Sequence, residues 1–418
     1  MAKQIQSSQF QMGFWHFLCA GALCFLSVFA DKISAADDGP QQMQLVSYAL
    51  HGNPNAADIS PDEESVVTEV TRREETPDAS TKRFLEVAQI WNFKEDKLLA
   101  EFLLQQNDVK ASTTGYFTAP IRGERIIRFS PDGSRVIVLL DRTLHVLRRK
   151  DLAEVHPSRL IGPNDVERTA GGKTKVEKYE IRAMEISPNG ELAAVLWTRN
   201  LINGSIAIYD LMTGARVNGW DIPQGWVSFT NNLAWAPNGS LLLVPVPNAM
   251  PCMSTGNEPD LFAFDVRTGA STQKFNTGLL TGSIAITSDD RVLAVDRNCL
   301  GVFKNHDPKL RVFDLLTGKI VQEISGRGAG VRYSVSISAD GSRFLAFTGK
   351  LKAGFDWLDV VPYDVRVDST FSVWNVHNYQ GIVTSQNIPG LNAWGLRLSP
   401  KGGYVISIGK ASFIYELP

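Results

Sequence analysis

At 418 residues, with 44% hydrophobic and 21% charged side chains, the chain carries enough apolar material for a large soluble core, and its composition is neither fibrous nor disordered. Its 42 basic and 44 acidic residues leave a formal charge of −2, so there is no global pull toward nucleic acid or an anionic membrane. Any charge-driven binding must come from a local patch.

The N-terminus is the first informative segment. Lys3 gives a weakly basic start, an apolar stretch runs from Gly13 to Ala30, and small residues follow in ISAADDGP. That order reads as a secretory signal peptide over residues 1–36, then a short linker over 37–42. An uncleaved signal anchor is the alternative, because the run is nearly long enough to span a bilayer. The expected location is secreted or periplasmic, with no membrane span after cleavage. Beyond the leader only Cys252 and Cys299 remain, which permits one disulfide without demanding it.

From residue 43 onward the chain is repetitive. An apolar strand, a Ser-Pro-acidic/Asn-Gly turn and a second apolar strand recur seven times, anchored at Ser60, Ser130, Ser187, Ala236, Ser288, Ser338 and Ser399. Pro presets φ at the first turn position and Gly accepts positive φ, so each phrase predicts a tight hairpin. Runs such as Arg135–Leu140 have the β-branched, apolar character of a strand buried on both faces. A second phrase follows most copies: a strand ending in aromatic-Asp, a Thr-Gly turn, and another strand. Its clearest forms contain Tyr209-Asp210, Phe264-Asp265 and Phe313-Asp314. Each repeat thus supplies four strands, a to d, and four-stranded units repeated radially are propeller blades. The predicted fold is an all-β, seven-bladed propeller of four-stranded antiparallel blades over residues 43–418. The last repeat ends after three strands, so Met43–Leu50 is expected to supply its fourth and close the ring.

The aromatic-Asp strand endings resemble the Trp-Asp dipeptide of WD-repeat proteins. The Ser-Pro-Asp-Gly and Thr-Gly turns are still more similar to bacterial WD-like and YVTN-type propellers. The resemblance covers roughly residues 44–418 and implies a fold and an exported bacterial origin; it does not imply an activity. The Gly-His dipeptide of true WD repeats is missing, so the His–Asp network of that family is not expected.

In this topology the a–b and c–d turns share one face and are short. The b–c and d–a connections share the other and carry the length variation, at 71–83, 105–124, 156–179, 247–259, 296–308 and 349–369. Such a scaffold has one binding face. Its candidate binding residues are Trp226, Arg297, His306, Asp356, Trp357 and Asp359, since aromatic and Arg side chains dominate binding energy. Cys252 and Cys299 fall in b–c connections of adjacent blades, where a disulfide is possible. No catalytic or metal residue is assigned: there is no G-x-S-x-G, the histidines lack ligand spacing, and AGGKT around Lys173 lacks the first glycine of a phosphate loop. No cofactor is called for. The expected function is a non-catalytic extracytoplasmic scaffold for a protein or peptide partner, acting as a monomer. The alternative is a lactonase-like or quinoprotein-like enzyme with a central-channel site.

Overall fold

The computed structural model describes residues 47–52, 54–78, 80–110, 125–163, 166–170, 173–177, 179–199, 203–223, 232–246, 259–277, 281–296, 309–325, 334–351, 366–385, 396–408 and 412–418. These residues form seven four-stranded antiparallel sheets, each in the order a-b-c-d, with no helix among them. Blade 1 comprises Ala56–Ile59, Ser65–Glu75, Thr81–Asn92 and Lys97–Lys110. The a strands of blades 2 to 7 are Arg125–Phe129, Glu180–Ile186, Ala234–Trp235, Thr281–Ile286, Ser334–Ile337 and Arg397–Leu398. Consecutive a strands pack side by side around the centre. Blade 7 is completed by the N-terminal strand Ser47–Ala49, which pairs antiparallel with Phe413–Glu416. The expected closure of the ring is therefore present, and it leaves neither end of the sheet series open.

The a–b turns show why the recurring phrase folds as it does. The Ser130 hydroxyl donates to Asp132 Oδ1 and accepts the Arg135 N–H at 3.0 Å, so a fully buried hydroxyl has both roles filled. Ser60, Ser187, Ser338 and Ser399 accept the equivalent N–H at 2.8–3.0 Å. In blade 5 this part is played by Thr287, which donates to Asp289 and accepts the Arg291 N–H. The anchor expected at Ser288 is thus one residue too late: the turn is one residue shorter, and the β-branched hydroxyl does the same work. The fourth turn position has positive φ throughout, with Gly133 at 71° and Gly190 at 73°; Glu63 at 61° and Asp290 at 60° stand where the other blades have glycine.

The aromatic-Asp motif closes its own turn. Asp210 Oδ1 accepts the Thr213 N–H at 2.7 Å and the Thr213 hydroxyl at 2.8 Å, and Asp265 and Asp314 repeat the pattern with Thr268 and Thr317. These hydrogen bonds hold the Asp265 and Asp314 carboxyls below their ordinary range. The motif is an Asx turn.

Apolar side chains between neighbouring sheets form the core. One such layer joins blades 2 and 3 through Ile137, Leu139, Val195 and Trp197, and another joins blades 3 and 4 through Leu196, Ile208, Leu242 and Phe264. Backbone donors on the a strands also meet the adjoining blade: the Phe129 N–H donates to Asp58 Oδ2 at 2.9 Å, and the Leu398 N–H to Ser336 Oγ at 3.2 Å.

Candidate functional site

The six candidate binding residues (Trp226, Arg297, His306, Asp356, Trp357 and Asp359) lie outside the described residues, as do Cys252, Cys299, residues 1–36 and the linker over 37–42. Among the described residues, the long-connection face is more regular than expected. In blade 1, strands b, c and d continue past the start of strand a: Ala56 pairs with Glu69, while strand b runs on to Glu75, opposite Lys82. Six extra residues at about 3.3 Å each make a three-stranded tongue about 20 Å long. Residues 71–83 and 105–110 are therefore mostly ladder. Cross-strand charge pairing explains it: Arg83 Nε meets Asp108 Oδ1 at 2.9 Å, Lys82 pairs with Glu75, and Arg72 with Glu101. The stretch 156–179 likewise contains strand Arg159–Leu160 and the hairpin Val166–Ala170/Lys173–Glu177. The ladder of blade 6 reaches Leu351 and resumes at Arg366, inside the stretch 349–369.

At the base of the tongue a buried ionic cluster spans blades 1 and 2. Arg125 Nη1 donates to Glu69 Oε1 at 2.8 Å, Arg125 Nη2 to Glu86 Oε1 at 2.7 Å, and the Thr71 hydroxyl to Glu86 Oε2 at 2.7 Å. Burial pushes the Glu69 carboxyl up to about 7 despite the Arg125 charge. Glu86 is buried too, but hydrogen bonds from Arg125 and Thr71 hold it below its ordinary value. Two carboxylates sharing one guanidinium separate in this way because the better-bonded one keeps the charge.

Two other buried features brace this face. Asp260 accepts both hydroxyls of Thr277 and Thr281, at 2.6 and 2.8 Å, with burial raising its pKa. Gly162, at φ 99°, lies against the buried Trp197 ring so closely that a Cβ there would be 2.5 Å from it. Both tie a connection down onto the blades.

The central channel holds a set of residues that the sequence reading did not single out. Two positions before the turn anchor, blades 7, 1, 2 and 3 place Arg397, Asp58, Arg128 and Glu185, with signs alternating around the ring. Arg397 reaches both acids, at 3.7 Å from Asp58 Oδ1 and 3.8 Å from Glu185 Oε2. Arg128 donates to the Ile127 carbonyl at 2.7 Å, and its Nε has no partner. Burial, with the neighbouring Arg397 charge, lowers the Arg128 guanidinium to about 10. The Glu185 side chain is 32% exposed, yet protein surrounds it in the channel, and desolvation pushes its carboxyl up. Charged residues at a constant offset inside an otherwise apolar strand were the available signal. Among the described residues no group of His, Cys, Asp and Glu is arranged to hold a metal ion.

The short-turn face differs in kind. Its turns are bonded internally and to each other, as where Arg149 Nη1 donates to Asp62 Oδ2 at 2.6 Å and Arg135 Nη2 to the Gly190 carbonyl at 3.0 Å. The Arg149 and Ser60 hydrogen bonds hold the Asp62 carboxyl down at about 2 against the opposing effect of burial.

No family model matches the chain. Over 69 residues it is 36% identical to autophagy-related protein 16 of Arabidopsis thaliana, a stretch that is 16% of this chain and 13% of that relative's length. Among solved structures, a chain in the crystal structure of the mitotic checkpoint complex is similar with a TM-score of 0.51 and 11% identity, covering 91% of this chain and 95% of that one. Raptor of Chaetomium thermophilum is similar with a TM-score of 0.55 and 10% identity, covering 89% of this chain and 28% of that one. At such identities the likeness speaks for the fold alone. The chain is a seven-bladed, WD-like β-propeller.

Proposed function

We propose that the protein is a non-catalytic scaffold that binds a protein or peptide partner on the face of its b–c and d–a connections, outside the cytoplasm. The observation that carries this reading is the asymmetry between the faces. One consists of short hairpin turns whose polar groups are spent on each other. The other carries the blade 1 tongue and the hairpin at 166–177, together with every connection long enough to vary. Rigid sheets that present irregular insertions on one side are built for recognition. The binding residues proposed from the sequence are Trp226, Arg297, His306, Asp356, Trp357 and Asp359, with a disulfide between Cys252 and Cys299 as part of the same proposal.

Capture of partners from the envelope fraction, with Trp357→Ala and Arg297→Ala against Asp132→Ala on the short-turn face, tests the reading. Loss of a captured partner on the first two substitutions, with an unchanged melting temperature, is the expected result. Loss on Asp132→Ala alone would put the binding face on the wrong side. The exported location predicts a mature N-terminus between Asp31 and Gly39; an intact Met1 in soluble cytoplasmic protein would overturn it.

A further inference from the structure

Strand d is the last of each blade, so one of its edges has no sheet partner among the described residues. In blades 2 to 7 it is Arg159–Leu160, Arg216–Asp221, Ser271–Phe275, Ile320–Ser325, Gly381–Ser385 and Ser47–Ala49, two to six residues each. Edges that short are poor templates for another chain. Blade 1 departs from the rule. Its strand d, Lys97–Lys110, has 14 residues, and among the described residues its backbone pairs with strand c alone.

The two parts of this edge differ. Leu99 and Leu104 are extra residues against strand c: Trp91 pairs with Leu98 but Ile90 with Ala100, and Val87 with Leu103 but Glu86 with Gln105. Such bulges twist a strand and interrupt its edge. Beyond Leu104 the strand is regular, and Gln105–Lys110 pairs residue for residue with Thr81–Glu86 along the tongue. This run has no proline, and its one acid, Asp108, is held by Arg83. In an antiparallel ladder successive residues direct their N–H and C=O groups alternately to the two sides. Three of the six residues therefore hold both groups outward, and unpaired backbone groups favour an extended backbone as their partner.

The side chains along the run indicate what that partner carries. Lys110, at the tip, forms no salt bridge among the described residues, and nearby Asp78 is engaged by the Ser80 and Thr81 hydroxyls at 2.8 Å. At the base of the run Leu103 is exposed. A complementary strand has a carboxylate opposite Lys110 and an apolar residue opposite Leu103. A second copy of this chain fits less well. Antiparallel self-pairing of Gln105–Lys110 over its whole length sets Lys110 against Gln105 and leaves the charge unmet.

We propose that Gln105–Lys110 is a docking edge, where an extended segment of the partner adds antiparallel as a fifth strand of blade 1, with an acidic residue opposite Lys110 and an apolar one toward Leu103. This rests on the scaffold reading and deepens it by giving the partner a form. Main-chain hydrogen bonds supply the affinity, and the two end residues fix the register.

The probe is the acetylated, amidated heptapeptide Glu-Thr-Val-Thr-Val-Thr-Leu, titrated into the full-length protein. Saturable binding is expected. Methylating the amide nitrogens of its even-numbered residues, or those of its odd-numbered ones, should give opposite results. The set that faces the edge weakens binding about tenfold or more, and the set that faces solvent leaves it nearly unchanged. Equal effects of the two sets, or no saturable binding, would overturn the proposal. On the protein, Gln106→Pro and Asn107→Pro separate the two sides of the strand in the same way. One removes a ladder hydrogen bond and lowers the melting temperature; the other leaves the melting temperature in place and should abolish peptide binding. Wild-type affinity in that second variant refutes the edge. Should neither variant fold, Lys110→Glu leaves the backbone untouched. It should weaken the peptide about threefold or more and favour a version that begins with Lys, and no change in either affinity is a refutation. Release of a captured partner by Trp357→Ala but by neither proline variant keeps the scaffold reading and removes this edge from it. A dimer that the folded proline variant dissolves assigns the edge to a second copy instead.

Discussion

At the residue scale, the a–b turn is a hydroxyl held between an acidic or amide side chain and a backbone N–H, and two blades depart from it informatively. Blade 4 has Ala236 in place of the hydroxyl, while its Asn238 still caps the turn by accepting the Ser240 N–H at 2.9 Å. Ala236→Ser should add the two hydrogen bonds that the other blades make and raise stability by about 1 kcal/mol, read from a urea melt. Blade 7 has Lys401 where the other turns have Asp or Asn, so Ser399 has no local acceptor. Glu63 of blade 1 supplies it from the next blade. Its Oε1 accepts the Ser399 hydroxyl, the Lys401 N–H at 2.8 Å and the Gly403 N–H at 3.2 Å. This explains why a buried Glu occupies a positive-φ position that six other turns give to Gly or Asp. Glu63→Gly should relieve the backbone yet cost about 2 kcal/mol by orphaning those donors. Adding Lys401→Asp should restore most of the loss, because the carboxylate is then local. If the double variant were no more stable than Glu63→Gly alone, the clasp would not be what the geometry describes.

At the scale of elements, the tongue shows where sequence patterns mislead. Thr76-Pro77-Asp78 has the chemistry of a loop, and the alternating charges around it read as a solvated connection. Across three strands the same charges pair in register, and a ladder results. The cluster at its base gives the blade 1–2 seam a pH dependence. Glu69 has its folded pKa raised, from 4.5 to about 7, so its stabilising contribution is complete below 4.5 and is lost as pH rises through 7. Glu86 is shifted the other way, so its contribution is present above 4.5 and is lost as pH falls. Stability should therefore be greatest near pH 4.5 and decline as pH rises from there to about 7. Glu69→Gln should flatten that decline, with chemical denaturation at each pH as the measurement. A decline of the same slope in Glu69→Gln would assign it to other groups.

At the scale of the whole molecule, the ring depends on one short strand. Ser47–Ala49 covers the edge of Phe413–Glu416, and Tyr48 packs edge-on against Phe93 of blade 1, which meets Tyr404 of blade 7 in the same way. Removing residues 1–50 should expose that edge and open the seam. The expected readouts are a lowered melting temperature, early proteolysis near the C-terminus and a tendency to associate through the free edge. A truncated chain that melts as the full one does would show that Glu63 and the core between blades 7 and 1 close the ring alone.

Blade number, strand order, turn geometry and the identity of the closing strand were all readable in the sequence. Each is set by local periodicity or by a few residues acting within one turn. The exception within a turn, Thr287 for Ser288, arose because two adjacent hydroxyls satisfy the pattern and only the hydrogen bonds distinguish them. What the tertiary structure decided is which distant charges meet. Asp58 and Arg397 stand at opposite ends of the propeller sequence, as do Glu63 and Ser399, and each looks like an ordinary polar residue of a strand or turn. Ring closure brings blade 7 beside blade 1 and turns every a strand toward one axis. Partners separated by hundreds of residues become neighbours there, for a reason no local pattern encodes: the ring closes only when seven blades have been stacked.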